Sequence, residues 1–84
     1  MTRILVVDDS AVDRRLVGAV LEQNDEWTID FAETGREALE KIEENYPDAI
    51  VADLQMPEMN GLELVKVITR RVPVIPVILI TSCG

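Results

Sequence analysis

No histidine occurs anywhere in the 84 residues. That absence removes His-based triads, His general bases and most zinc sites together. A single cysteine, Cys83, stands next to the C-terminus. No disulfide can close within the chain, and a reducing compartment is the natural setting. No apolar run approaches the roughly 20 residues a membrane-spanning helix needs. The first run, in MTRILVVDDS, is too short for a secretory signal, and acids stand where a cleavage site belongs. These features predict a cytoplasmic chain without a membrane partner. Positive charge is scarce: 8 Lys and Arg face 16 Asp and Glu, for a net charge of −8. Such an excess disfavours direct nucleic-acid contact and anionic surfaces, and suits a cation. Neither glycine fingerprint of nucleotide-binding domains is present.

What is there is alternation. Ile4–Val7 is a run of branched apolar residues, the pattern of a strand buried on both faces. Ser10 with Asp13 three residues on is a capped helix start, and Val12, Leu16, Ala19 and Val20 fall on one face of that helix, which closes at Asn24 and Asp25. Trp27–Phe31 alternates apolar and polar, as a half-exposed edge strand does. Thr34 and Glu37 form a second capping box, opening a helix with Ala38, Leu39 and Ile42 inward that Pro47 stops. Ala49–Ala52 is a third strand ending at Asp53. A loop from Met56 to Gly61 follows, then a helix over Leu62–Ile68 with Arg70 and Arg71 at its C-terminal end. Pro73 and Pro76 break the chain before the last run, Val77–Ile80. The order β-α-β-α-β-α-β predicts one α/β domain, a doubly wound sheet with parallel strands.

In a parallel sheet every C-terminal strand end shares one edge, where ligands bind. Asp8 and Asp9 end the first strand, Asp53 ends the third, and Thr81 and Ser82 follow the fourth. Carboxylates converging on one site repel each other unless a proton or a cation intervenes. A hard divalent cation such as Mg²⁺ takes carboxylates, a carbonyl and waters. With it bound, one carboxylate becomes a candidate nucleophile toward phosphorus, and Thr81 a hydrogen-bond donor to a phosphoryl oxygen.

The segments VVDDS, VADLQMPEMNGLEL and PVIPVILITS resemble the receiver domain of two-component response regulators, from residue 3 to the end of the chain. The resemblance implies a flavodoxin-like sheet of order 2-1-3-4-5, of which four strands, in order 2-1-3-4, are present here. It implies that Asp53 is the phosphoacceptor, taking a phosphoryl group from a histidine kinase or phosphotransfer protein by self-phosphotransfer rather than turnover. Asp9 matches the direct Mg²⁺ ligand and Asp8 the acid that helps hold the ion. Gln55 matches the position whose backbone carbonyl completes the metal site, and Thr81 the hydroxyl that turns onto the phosphoryl group. Kinase contact is implied for the first helix, around Val12, Arg14 and Arg15.

The family pattern also contains a fifth strand, whose end carries a lysine that pairs with the phosphoryl group, and two further helices. Lys41 and Lys66, the only lysines here, are mid-helix. Residues 1–84 are therefore expected to form a single, incomplete receiver domain. Val77–Ile80 is then an apolar edge strand, the kind that templates pairing with another chain. A homodimer through that edge, or by exchange of elements, is the expected consequence. A shortened, non-phosphorylated assembly module is the alternative function. An aspartyl phosphohydrolase is disfavoured, since neither VVDDS nor VADLQ supplies its Asp-x-Asp-x-Thr pattern.

Overall fold

The computed structural model describes residues 2–56, 58–71 and 74–80. Seven elements alternate along the chain: β1 (Thr2–Val7), α1 (Ala11–Leu21), β2 (Trp27–Ala32), α2 (Gly35–Glu44), β3 (Ala49–Asp53), α3 (Gly61–Arg71) and β4 (Val77–Ile80). The strands form one parallel sheet in the order β2-β1-β3-β4. The expected strand order and the edge position of the second strand are both found. Pro73, like residues 81–84, lies outside the described residues.

Both expected N-caps form, each as the bond from the N3 amide to the cap hydroxyl, while the Ser10 amide goes to Asp8 and Glu37 accepts from the Glu33 amide. The Asp13 amide donates to Ser10 Oγ at 3.3 Å, and the Glu37 amide donates to Thr34 Oγ1 at 3.0 Å. Each bond satisfies an amide that the first helical turn otherwise leaves without a partner. A third cap, not anticipated, starts α3: the Glu63 amide donates to Asn60 Oδ1 at 2.9 Å.

Strand alternation divides the core between the two faces of the sheet. Leu5, Val7, Ile50 and Ala52 pack with Ala38 and Ile42 of α2 and Leu64 and Ile68 of α3. Ile4, Val6 and Val51 face the other way and meet Val17 and Leu21 of α1. Among the described residues, two helices thus cover one face and a single helix the other.

That asymmetry bears on α1. Val12, Leu16, Ala19 and Val20 do share a face, but the face looks outward: Val12, Leu16 and Val20 are 67%, 62% and 65% exposed. The helix packs instead through Val17, Gly18 and Leu21, with Gly18 against the ring of Phe31. Its sequence carries two apolar stripes, and only the narrower one meets the sheet. Ile78 of β4, 55% exposed, also lies on this less covered side.

Candidate functional site

The site begins with the end of β1. The Asp8 amide donates to the Ala32 carbonyl at 3.0 Å, so the ladder with β2 runs one residue past the strand. Asp8 is therefore held inside the sheet edge, with only 1% of its surface exposed. Its Oδ1 accepts from the Ser10 amide at 2.9 Å, in the turn that starts α1. Its Oδ2 is buried and has no hydrogen-bond partner among the described residues.

Asp53 is the last residue of β3 and is buried equally deeply. Its Oδ1 accepts from the Gln55 amide at 3.1 Å. Asp9 is exposed at the rim. One carboxylate oxygen from each of Asp8, Asp9 and Asp53 lies within 4.8 Å of the other two. The expected convergence of these acids is thus present in the geometry.

Such a cluster is electrostatically costly. Burial pushes the Asp8 carboxyl above its ordinary value, and the charges of Asp53, Asp13 and Asp9 push it the same way. Only the Ser10 amide pulls it down. A buried acceptor without a donor, beside two further carboxylates, is the environment a hard cation would satisfy. Among the described residues the donor set is all oxygen, so it suits Mg²⁺ better than a soft metal.

The other expected site residues fall as follows. Gln55 is exposed, in the loop after β3, with its amide on Asp53. Thr81 lies outside the described residues. Lys41 donates to the Phe31 carbonyl and pairs with Asp30 at 3.4 Å and Glu37 at 3.5 Å, so it belongs to the α2–β2 packing. Lys66 is on the exposed side of α3.

Two residues at the site were not singled out for their geometry in the sequence. Gly61 starts α3 directly against the end of β3, its amide donating to the Leu54 carbonyl at 3.1 Å. Arg14, on α1, turns inward: Nη1 donates to the Asp8 carbonyl at 2.8 Å and Nη2 lies 3.5 Å from Glu33 Oε1. Arg15 and Val12 remain exposed on the same helix.

With this geometry in place, comparison with known proteins is informative. The response regulator receiver domain family matches residues 4–84. A protein-glutamate methylesterase/protein-glutamine glutaminase of Treponema denticola is 44% identical over 81 residues, which cover 95% of this chain and 22% of that protein. The crystal structure of the response regulator domain of Thermotoga maritima CheB superimposes with a TM-score of 0.88 at 38% identity, covering 98% of this chain and 61% of the other. Vibrio cholerae chemotaxis protein CheY4 gives a TM-score of 0.89 at 32% identity, covering the whole of this chain and 71% of the other. The chain therefore spans under a quarter of the methylesterase's length.

Proposed function

The chain belongs to the response regulator receiver family, and from that premise we propose that Asp53 is its phosphoacceptor and that Asp8, Asp9 and Asp53 hold Mg²⁺. The observations that carry this reading are the buried Oδ2 of Asp8, without a hydrogen-bond partner among the described residues, and the convergence of one carboxylate oxygen from each of Asp8, Asp9 and Asp53 within 4.8 Å. The Gln55 carbonyl and waters would complete the oxygen set. When bound, the ion supplies positive charge that lets phosphoryl oxygens approach three carboxylates.

The protein's own part is nucleophilic. A carboxylate oxygen of Asp53 forms the new bond to phosphorus while the phosphorus–nitrogen bond of a phosphohistidine breaks. The imidazole leaves with the electron pair of that bond and takes up a proton. The Gln55 amide, bonded to Oδ1, fixes the carboxylate plane and directs the attack. Thr81 is assigned the hydrogen bond to the incoming phosphoryl group. The donor is a histidine kinase or phosphotransfer protein, and the exposed α1 surface around Val12 and Arg15 is its contact in this reading. The protein acts in the cytoplasm, where such kinases present their phosphohistidine.

The test is intact mass after incubation with a small amido or acyl phosphate and Mg²⁺. A phosphoryl-sized gain in the parent, absent in Asp53→Asn, supports the assignment. No gain in a folded, Mg²⁺-binding parent rejects it.

A second reading is favoured by one observation: among the described residues β4 is an edge strand, and its Ile78 is 55% exposed on the sheet face opposite α2 and α3. Pairing of β4 with a second copy would satisfy its outer backbone groups and cover that apolar side. In this reading the chain assembles as a homodimer. Sedimentation of the parent and of Ile78→Lys decides it: a dimer that the lysine dissociates supports the reading, and a parent that stays monomeric removes it.

A further inference from the structure

We propose that Arg14 is a positioning residue for the acidic cluster: its guanidinium holds the peptide between Asp8 and Asp9, and so aims both acids at one cation. This rests on the reading of the cluster as a Mg²⁺ site.

The argument starts from what fixes Asp8. Its amide is bonded to Ala32, and one carboxylate oxygen is bonded to the Ser10 amide. The Ser10 bond closes a turn that includes the peptide leading to Asp9 and limits its range, but it grips the side chain and not the plane itself. A third bond holds the plane directly: Arg14 Nη1 donates to the Asp8 carbonyl oxygen at 2.8 Å. That carbonyl and the Asp9 amide belong to the same rigid plane. Asp9 is exposed, so packing does not aim its side chain. The orientation of this plane is what delivers it to the cluster.

Arg14 is built for holding. The chain has only 8 basic residues and a net charge of −8, yet this one is spent inward, with 16% of its side chain exposed. Its second nitrogen is steadied by Glu33 at 3.5 Å, from the turn between β2 and α2. A planar guanidinium can engage both groups at once, which an ammonium cannot do with the same geometry. Its grip is on a carbonyl rather than on a carboxylate. It therefore orients the acids without neutralising them, and the cation is still required. Groups that orient metal ligands in this way commonly matter about ten- to a hundredfold in affinity.

The test compares the parent with Arg14→Gln, Arg14→Lys and Glu33→Gln. Three quantities are read: the Mg²⁺ dissociation constant by calorimetry, the Asp8 carbonyl ¹³C and Asp9 amide ¹⁵N shifts without metal, and metal-free stability in urea. The expected result is about tenfold weaker Mg²⁺ for Arg14→Gln, with both shifts displaced. Arg14→Lys restores part of the loss because it keeps a donor for the carbonyl, and Glu33→Gln shows a smaller loss. A purely structural role would lower stability in urea while leaving the affinity of the folded variant unchanged. A folded Arg14→Gln that binds Mg²⁺ as the parent does therefore overturns the proposal. If Arg14→Gln does not fold, Glu33→Gln carries the comparison: weaker Mg²⁺ with a moved Asp9 shift supports the positioning role, and parent-like values reject it. A parent that takes up no Mg²⁺ ends the metal reading itself, and the positioning role with it.

Discussion

A Cβ placed on Gly61 would stand 2.6 Å from the backbone carbonyl oxygen of Asp53. The same atom would meet Leu79 Cδ2 at 2.8 Å and the Cα of Leu54 at 3.0 Å. Two of these three contacts are backbone, so rotating a side chain does not relieve them. The start of α3 can lie this close to the end of β3 only because residue 61 has no side chain.

Gly61→Ala should therefore cost about 1–3 kcal/mol of stability, the usual range for forced overpacking. Either α3 retreats or the end of β3 moves, and because the nearest atom is the Asp53 carbonyl oxygen the strain falls first on β3 and shifts Asp53. The substitution should thus weaken Mg²⁺ uptake as well as lower the urea midpoint. A loss of stability with unaltered Mg²⁺ affinity would mean that α3 alone absorbs the strain.

The raised Asp8 carboxyl makes a signed prediction for pH. Its folded pKa lies above the ordinary 3.8, so the folded state binds this proton more tightly than the unfolded state does. The contribution of Asp8 to stability is full below about pH 3.8 and declines as pH rises through the raised value. At neutral pH the metal-free protein carries the penalty. Asp8→Asn removes the charge, and its Nδ2 supplies a donor where Oδ2 had no partner. Without metal at neutral pH, Asp8→Asn should be more stable than the parent by about 1 kcal/mol or more. The gap should close on acidification. With Mg²⁺ the order should reverse, because the variant gains little from the ion. Thermal melts of both proteins between about pH 4 and pH 8, with and without Mg²⁺, check each sign.

The two caps offer a local comparison. Ser10 and Thr34 each accept an amide bond at the start of a helix, and each should cost about 1 kcal/mol on replacement by alanine. Ser10 lies beside Asp8 and its amide bonds that carboxylate, whereas Thr34 starts α2 on the far side of the Glu33 turn. Ser10→Ala should therefore alter Mg²⁺ affinity through the turn geometry, and Thr34→Ala should not. Paired urea and Mg²⁺ titrations of the two variants separate capping from site effects.

How far the sequence was legible depends on whether the signal is local. N-caps, strand runs and the Pro47 stop are short-range chemistry: the Ser10 and Thr34 caps and the four strands appear where they were read, whereas the Asn60 cap was not read and α1 ends at Leu21, short of Asn24 and Asp25. The acids were legible for a topological reason: parallel strands put all their C-terminal ends on one edge, so Asp8, Asp9 and Asp53 could be brought together without any knowledge of side-chain packing. Gly61 and Arg14 could not be read in the same way. The role of Gly61 depends on the distance between α3 and β3, and that of Arg14 on which way one side chain turns. A basic residue six positions after Asp8 and one helical turn into α1 is the trace such an arrangement leaves, but periodicity alone does not separate it from the exposed Arg15.

Helix α1 is the sharpest case of period without direction. Its Val12, Leu16, Ala19 and Val20 stripe is apolar at the right spacing, but a helical repeat says only that residues share a face. Which face meets the sheet is set by the layers around it, and among the described residues α1 alone covers its side. Leu16 and Leu64 are thus the same residue in opposite settings, 62% and 0% exposed. Leu64→Ala should cost about 2–5 kcal/mol, because it opens a cavity beneath α3. Leu16→Ala should stay within about 0.5 kcal/mol of the parent, as substitutions away from packed positions do. Urea denaturation of the two variants measures the difference directly. If Leu16→Ala proved as costly as Leu64→Ala, the outward stripe of α1 would be covered in solution, and raising the protein concentration would show whether a second copy covers it. A concentration-independent loss would instead place the contact within the chain.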